Sequence, residues 1–137
     1  MCCKLTEVPE ISKPVGVWCP DCKIGDGCGS YDSRPASCKS FSCDWLLNEK
    51  MKDDLRPDRC GVIFERVKDD LVLVLKSDGS RELSKRVLQI MRDIVYRGLS
   101  VAVSGRPMMI IPHKETTFQA VADELQAAVK VRQEVIV

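Results

Sequence analysis

Seven of the eight cysteines fall between Cys2 and Cys43, in the order Cys2-Cys3, Cys19-x-x-Cys22, Cys28, Cys38 and Cys43, with Cys60 standing apart. Thiolate is the form of cysteine that ligates metals, and two cysteines separated by two residues reach one ion from a tight turn. A closed structural zinc site takes four N or S ligands, and iron–sulfur clusters take four cysteines. The sole histidine, His113, lies far along the chain, so a sulfur-rich centre here is all-cysteine, completed at most by a carboxylate or a water. Adjacent side chains diverge in extended backbone, so Cys2 and Cys3 are expected to serve two ions or to bridge in a polynuclear centre. Seven thiols exceed one mononuclear site, so either two metals bind or some cysteines do not ligate. The spacing does not separate zinc from iron, or a single ion from an iron–sulfur cluster.

The residues between these thiols cannot order themselves by burying apolar surface. Pro20, Asp21, Gly25, Asp26, Gly27, Gly29 and Ser30 are turn formers almost throughout. Something must tie the thiols together, and the choices are a metal, a cluster or disulfides. No apolar signal-peptide core follows Met1, so the expected compartment is the cytoplasm, where disulfides rarely persist. A virus particle that reaches an oxidising medium without export is the route by which a disulfide-stabilised structural component remains open. Catalysis by cysteine is disfavoured, because nothing places the one histidine near a thiol.

The segment Gly27-Cys28-Gly-Ser-Tyr31-Asp-Ser-Arg34-Pro35-Ala-Ser-Cys38-Lys-Ser-Phe41-Ser-Cys43, with the adjacent Cys2-Cys3 pair, resembles the signature of the YkgJ-like cysteine-cluster proteins, read as zinc- or iron-chelating domains. The resemblance spans residues 2–46. It implies metal or cluster binding by Cys3, Cys19, Cys22, Cys28, Cys38 and Cys43, with Cys2 a further ligand, and it implies no reaction. Around such a centre Pro35 would fix the turn between ligands. Arg34 would offset thiolate charge or donate to carbonyls, while Tyr31 and Phe41 would shield sulfur from water.

Composition narrows the partners. The net charge of +1, with both signs interleaved, lacks the basic excess of a nucleic-acid binder. No run of about 18 apolar residues suits a membrane span. Another protein is the expected partner; oligomeric state is not legible. A hydrophobic content of 45% with 30% charge fits a globular chain.

The elements that must hold the thiols follow from the apolar pattern. Residues 4–18 read as an extended connection anchored by Val8, Ile11, Val15 and Trp18, and residues 19–43 as loops. Asp44 is expected to cap a short helix with Trp45, Leu46, Leu47 and Met51 as its apolar stripe, ended before Pro57. Val62–Val67 and Leu71–Leu75 read as a hairpin, and Asp53-Asp54 and Asp69-Asp70 as solvated turn carboxylates. Ser80 is a candidate cap for a helix over about 81–97, with Gly98 at its end. Strands are expected over 99–104 and 108–111, separated by a Gly105-Arg106-Pro107 turn, with Met108-Met109 as strand core. A capping box at Thr116-x-x-Gln119 opens a last helix reaching about 133. The expected fold is α+β: a cysteine module at 1–60 packed as a cap on a ββαββα body at 61–137, with a small antiparallel sheet and helices on one face. Trp18, Phe41, Trp45 and Leu46 are the expected contacts between module and body.

Overall fold

In a computed structural model, which describes residues 1–76, 82–104 and 108–135, the body forms around the apolar runs. In chain order the elements are α1 (Cys2–Leu5), β1 (Cys22–Lys23), β2 (Gly27–Cys28), α2 (Ala36–Ser40), α3 (Asp44–Leu47), α4 (Pro57–Cys60), β3 (Val62–Lys68), β4 (Leu71–Lys76), α5 (Lys85–Tyr96), β5 (Ser100–Val103), β6 (Met109–Ile111) and α6 (Phe118–Val135), with 3-10 turns at Pro9–Ile11 and Asp53–Leu55. The fold is α+β, and the expected ββαββα order of the body is present.

The sheet is mixed rather than antiparallel. Its order is β3-β4-β5-β6, and β4 pairs β5 in parallel, Val72 opposite Val101 and Val74 opposite Val103. The reason is the connection. A helix between two strands carries the chain back to its starting end, so the second strand enters in the same direction as the first. The β3–β4 and β5–β6 pairs are antiparallel, as hairpins must be.

Both faces of the sheet are covered, which explains the uninterrupted apolar run of β4. Strand side chains alternate between faces. Phe64, Val72, Val74, Val101 and Val103 pack with Val87 and Met91 of α5. Leu71 and Ala102 pack with Val121 and Leu125 of α6. These two clusters use alternate residues of the same strands, so the two helices occupy opposite faces, not one.

Local signals set the helix ends. Ser84 accepts a hydrogen bond from the Val87 N–H and caps α5; Ser80 lies outside the described residues. At the other end Gly98 adopts φ +86°. Its N–H bonds the Val95 carbonyl and the Leu99 N–H bonds the Ile94 carbonyl, a Schellman ending that glycine permits at no steric cost. Helix α6 is capped by Thr117, whose hydroxyl accepts from the Ala120 N–H, one residue later than the Thr116 box predicts. Gln119 bonds Asp123 instead of reaching back.

The front of the chain packs against β3, an edge strand of the sheet. Leu5, Cys43 and Ile63 form a small buried cluster with Met1, Phe41, Trp45 and Leu75 around it. Asp44 begins α3 rather than capping it, and its carboxylate accepts from the Arg66 N–H of β3. Trp45 and Met51 reach the main core, but Leu46 and Leu47 are 66% and 70% exposed and do not face it. Helix α3 is one turn long, so four consecutive residues point around the full circle and only part of the expected stripe can face the sheet. Trp18 is half-buried beneath the Lys4 ammonium, 5.8 Å from its ring centre, and belongs to none of the buried clusters. Phe41 and Trp45 therefore make the contact that Trp18 and Leu46 do not.

Residues 4–18 are not a plain extended strap. Val8 is buried, Ile11 and Val15 are exposed, and Val8 bridges Lys13 across a tight loop whose Ser12 has φ +53°.

Candidate thiol centre

Short backbone hydrogen bonds bring the cysteine segments together. The Cys19 N–H donates to the Cys3 carbonyl at 2.8 Å, which fixes the Cys-x-x-Cys turn beside α1. The Cys22 N–H donates to the Cys19 carbonyl at 3.0 Å and closes that turn. Strand β1 then pairs β2 with Cys22 directly opposite Cys28, so both side chains leave the same face of this small hairpin. Its bend uses Gly25 and Gly27 at φ +92° and +132°, conformations that a side chain would strain.

Beyond the hairpin the Gly29 N–H donates to the Asp21 carbonyl at 2.7 Å. A β-carbon on Gly29 would stand 3.0 Å from that same oxygen, so the close approach depends on glycine. Ser30 donates to the Asp21 carboxylate at 2.7 Å, and its hydroxyl lies 3.8 Å from the Cys28 sulfur. Cys38 sits on α2. That helix is held from far along the chain: one Glu10 oxygen accepts from the Ser37 N–H at 2.8 Å and the other from the Ser37 hydroxyl at 2.7 Å. These two bonds hold the Glu10 carboxyl below its usual range.

The thiols interact with one another. The Cys3 thiol is pushed up to about 12, first by burial and then by the neighbouring sulfurs of Cys2 and Cys22. Burial also raises Cys38, which feels Cys19 and Cys2. Burial and neighbouring sulfurs thus raise Cys3 and Cys38, and Cys28 faces Cys22 across the hairpin. Cys43 is different: it is buried in the apolar cluster against Leu5 and Ile63. Cys60 lies apart, donating to the Leu55 and Val62 carbonyls at 3.3 and 3.4 Å, and burial raises its thiol. All eight cysteines are free thiols. Among the described residues no group of three or more His, Cys, Asp or Glu side chains stands arranged to hold a metal ion.

The residues expected around the sulfurs divide in the same way. Pro35 opens α2 at φ −51°, the position its fixed ring suits. Arg34 stacks over the Tyr31 ring at 3.8 Å and donates to the Tyr31 carbonyl at 2.8 Å, so it serves a carbonyl. Tyr31 is 62% exposed, and Phe41 packs on the core side, next to Cys43. His113 accepts from the Glu115 N–H through Nδ1, a local turn contact. Asp53 and Asp54 are exposed, as expected, and pair with Arg56, Arg59 and Arg86.

One residue that the sequence does not flag stands beside the thiols. Lys13 is only 4% exposed, and its ammonium donates to the carbonyls of Thr6, Lys4 (3.3 Å) and Pro14 (3.1 Å). Burial lowers its affinity for the proton, and the sulfurs of Cys19, Cys3, Cys38 and Cys2 act in the opposite direction. A lysine between Ser12 and Pro14 carries no motif. Only the loop that brings Val8 against Lys13 turns it inward.

No family model matches the chain, and no match is found among curated proteins or among solved structures.

Proposed function

We propose that the chain is a metal-binding protein of structural or protein-interaction type, with zinc or iron held by thiolates drawn from Cys2, Cys3, Cys19, Cys22, Cys28 and Cys38, and with Cys43 a ligand only if it leaves its apolar cluster. The observation that carries this reading is the backbone pairing that brings the cysteine segments together, the Cys19 N–H on the Cys3 carbonyl and Cys22 directly opposite Cys28. Three separate segments deliver these sulfurs, and few apolar side chains accompany them. That is the pattern of a segment ordered by an inorganic centre rather than by a core. The described side chains do not already stand as a metal site, so binding would rearrange them at a cost that a metal's binding energy offsets. The YkgJ-like signature, in the resemblance noted above, supports Cys3, Cys19, Cys22, Cys28 and Cys38 as ligands and adds Cys43 to them.

A bound ion would order residues 2–43 and present their outer surface to another protein. Thiolate ligands must shed protons to bind, so affinity falls as pH falls. The test is anaerobic purification with elemental analysis and an absorption spectrum. About one or two zinc or iron atoms per chain support the reading. Colourless protein with zinc excludes the alternative of an iron–sulfur redox or sensor protein, and visible absorption with iron favours it.

The facing of Cys22 by Cys28 also suits a disulfide-stabilised structural component such as a virus-particle protein. Intact mass under non-reducing conditions separates that reading, because each bond removes two hydrogens.

A further inference from the structure

The backbone sets Cys22 and Cys28 face to face, as direct partners in the antiparallel hairpin β1–β2. One step beyond them, the same register puts Gly29 opposite Asp21, and the Gly29 N–H donates to the Asp21 carbonyl at 2.7 Å. Opposed residues of an antiparallel ladder alternate between hydrogen-bonded and non-hydrogen-bonded pairs. Asp21 and Gly29 are a hydrogen-bonded pair, so Cys22 and Cys28 are a non-hydrogen-bonded one. Such pairs bring their Cα atoms to about 4.5 Å and their side chains close together. That spacing falls inside the window of about 4.4–6.8 Å that a disulfide spans. The hairpin does not need the bond to keep its shape. Asp21 holds its open end twice, through the Gly29 N–H and through the Ser30 hydroxyl at 2.7 Å, and the Asp26 N–H closes the turn on the Lys23 carbonyl at 2.9 Å. Both thiols are free and half-buried. Ser30 spends its only proton on Asp21, so in its 3.8 Å contact with the Cys28 sulfur the thiol is the donor. The reduced pair therefore has a contact of its own, which a disulfide gives up.

We propose that Cys22 and Cys28 are a reversible dithiol–disulfide pair, oxidised by exchange with a small-molecule disulfide and reduced again by thiols, in a hairpin that keeps its fold in both states. One protein thiolate attacks the external disulfide, forms a mixed disulfide and releases the first small thiol. The second protein thiol loses its proton, attacks the protein sulfur of that mixed disulfide, closes the Cys22–Cys28 bond and releases the second small thiol. The protein dithiol gives up two electrons and two protons, and one external disulfide becomes two thiols. The proposal names the bond that the disulfide reading above leaves open and makes it reversible. It rests on the strand pairing and asks nothing of a metal.

The test equilibrates the full reduced chain, anaerobically and with a chelator present, in a series of oxidised and reduced glutathione mixtures. Free thiols are then alkylated, and the chain is digested with trypsin and mapped by mass spectrometry with fragmentation. Trypsin cuts after Lys23, between the two cysteines, so only a disulfide keeps them in one species. The expected result is that Cys22–Cys28 is the first bond to form, with loss of two hydrogens and unchanged circular dichroism, and that dithiothreitol restores both thiols. A first bond from Cys22 to Cys19 or Cys3, or one that omits both Cys22 and Cys28, overturns the proposal and leaves the disulfide-stabilised reading standing. A Cys22–Cys28 bond whose reduction abolishes the native circular dichroism overturns its reversibility and makes the bond structural. A chain that forms no internal disulfide at any glutathione ratio overturns the proposal and the disulfide-stabilised reading together, and leaves the metal reading untouched.

Discussion

At the scale of single residues, the cysteines are not equivalent. Cys22 stands opposite Cys28 in the small hairpin, whereas Cys60 donates to two carbonyls away from it. Cys22→Ser is expected to abolish or halve metal loading, measured by elemental analysis, and Cys60→Ser to leave it unchanged. Glu10 supplies a second prediction. Its carboxylate fastens α2, and with it Cys38, from 27 positions away. Glu10→Ala should cost about 1 kcal/mol of stability in urea unfolding, the usual worth of a lost helix cap. Because its folded value lies below the unfolded one, near 4.5, that contribution is complete above the unfolded value and fades as pH falls through the folded one. Loss of the wild-type's stability advantage over Glu10→Ala on acidification checks the sign. The cysteines were visible as a candidate cluster from their crowding alone. Glu10 and Lys13 were not, because each acts through a loop closure that no local pattern announces: a carboxylate reaching a helix 27 residues on, and a lysine turned inward by a Val8–Lys13 bridge.

At the scale of elements, the body follows its apolar rhythm, since the hairpin β3–β4, the strands β5 and β6 and both long helices stand near where periodicity puts them, but Met108 and Met109, expected as strand core, are exposed at the edge of the sheet. What periodicity leaves open is direction and side. The parallel β4–β5 pairing and the placement of α5 and α6 on opposite faces follow from connection geometry and from the two-sided burial of β4, not from any residue. Short elements are the least legible: α3 was readable as a helix, but one turn cannot define a stripe, and Leu46 and Leu47 turn outward. The capping geometry makes its own prediction. Gly98→Ala forces a β-carbon into φ +86° and should cost about 1–2 kcal/mol in urea unfolding, and Ser84→Ala about 1 kcal/mol. Neither should alter metal loading, because both lie on the body.

At the scale of the whole molecule, two different economies of order meet at β3. The body is held by buried apolar side chains on both faces of its sheet. The front third has few of these and touches the body through Leu5, Phe41, Cys43, Trp45 and the Asp44–Arg66 bond. That contact covers one edge of the sheet, which would otherwise offer unpaired backbone groups to another strand. Asp44→Ala removes the acceptor from the Arg66 N–H and should increase concentration-dependent association, read by light scattering. If sulfur and metal order the front third, its stability and that of the body must respond differently to chelation.

The most direct measurement of that claim is amide hydrogen exchange on reduced, anaerobically prepared protein, before and after exhaustive chelation. The account predicts that amides of residues 2–43 lose protection when the metal is withdrawn, while those of β3, β4, β5 and α5 keep theirs. Unchanged protection across residues 2–43 after the metal has been removed, or native order in a chain that never held one, would contradict it.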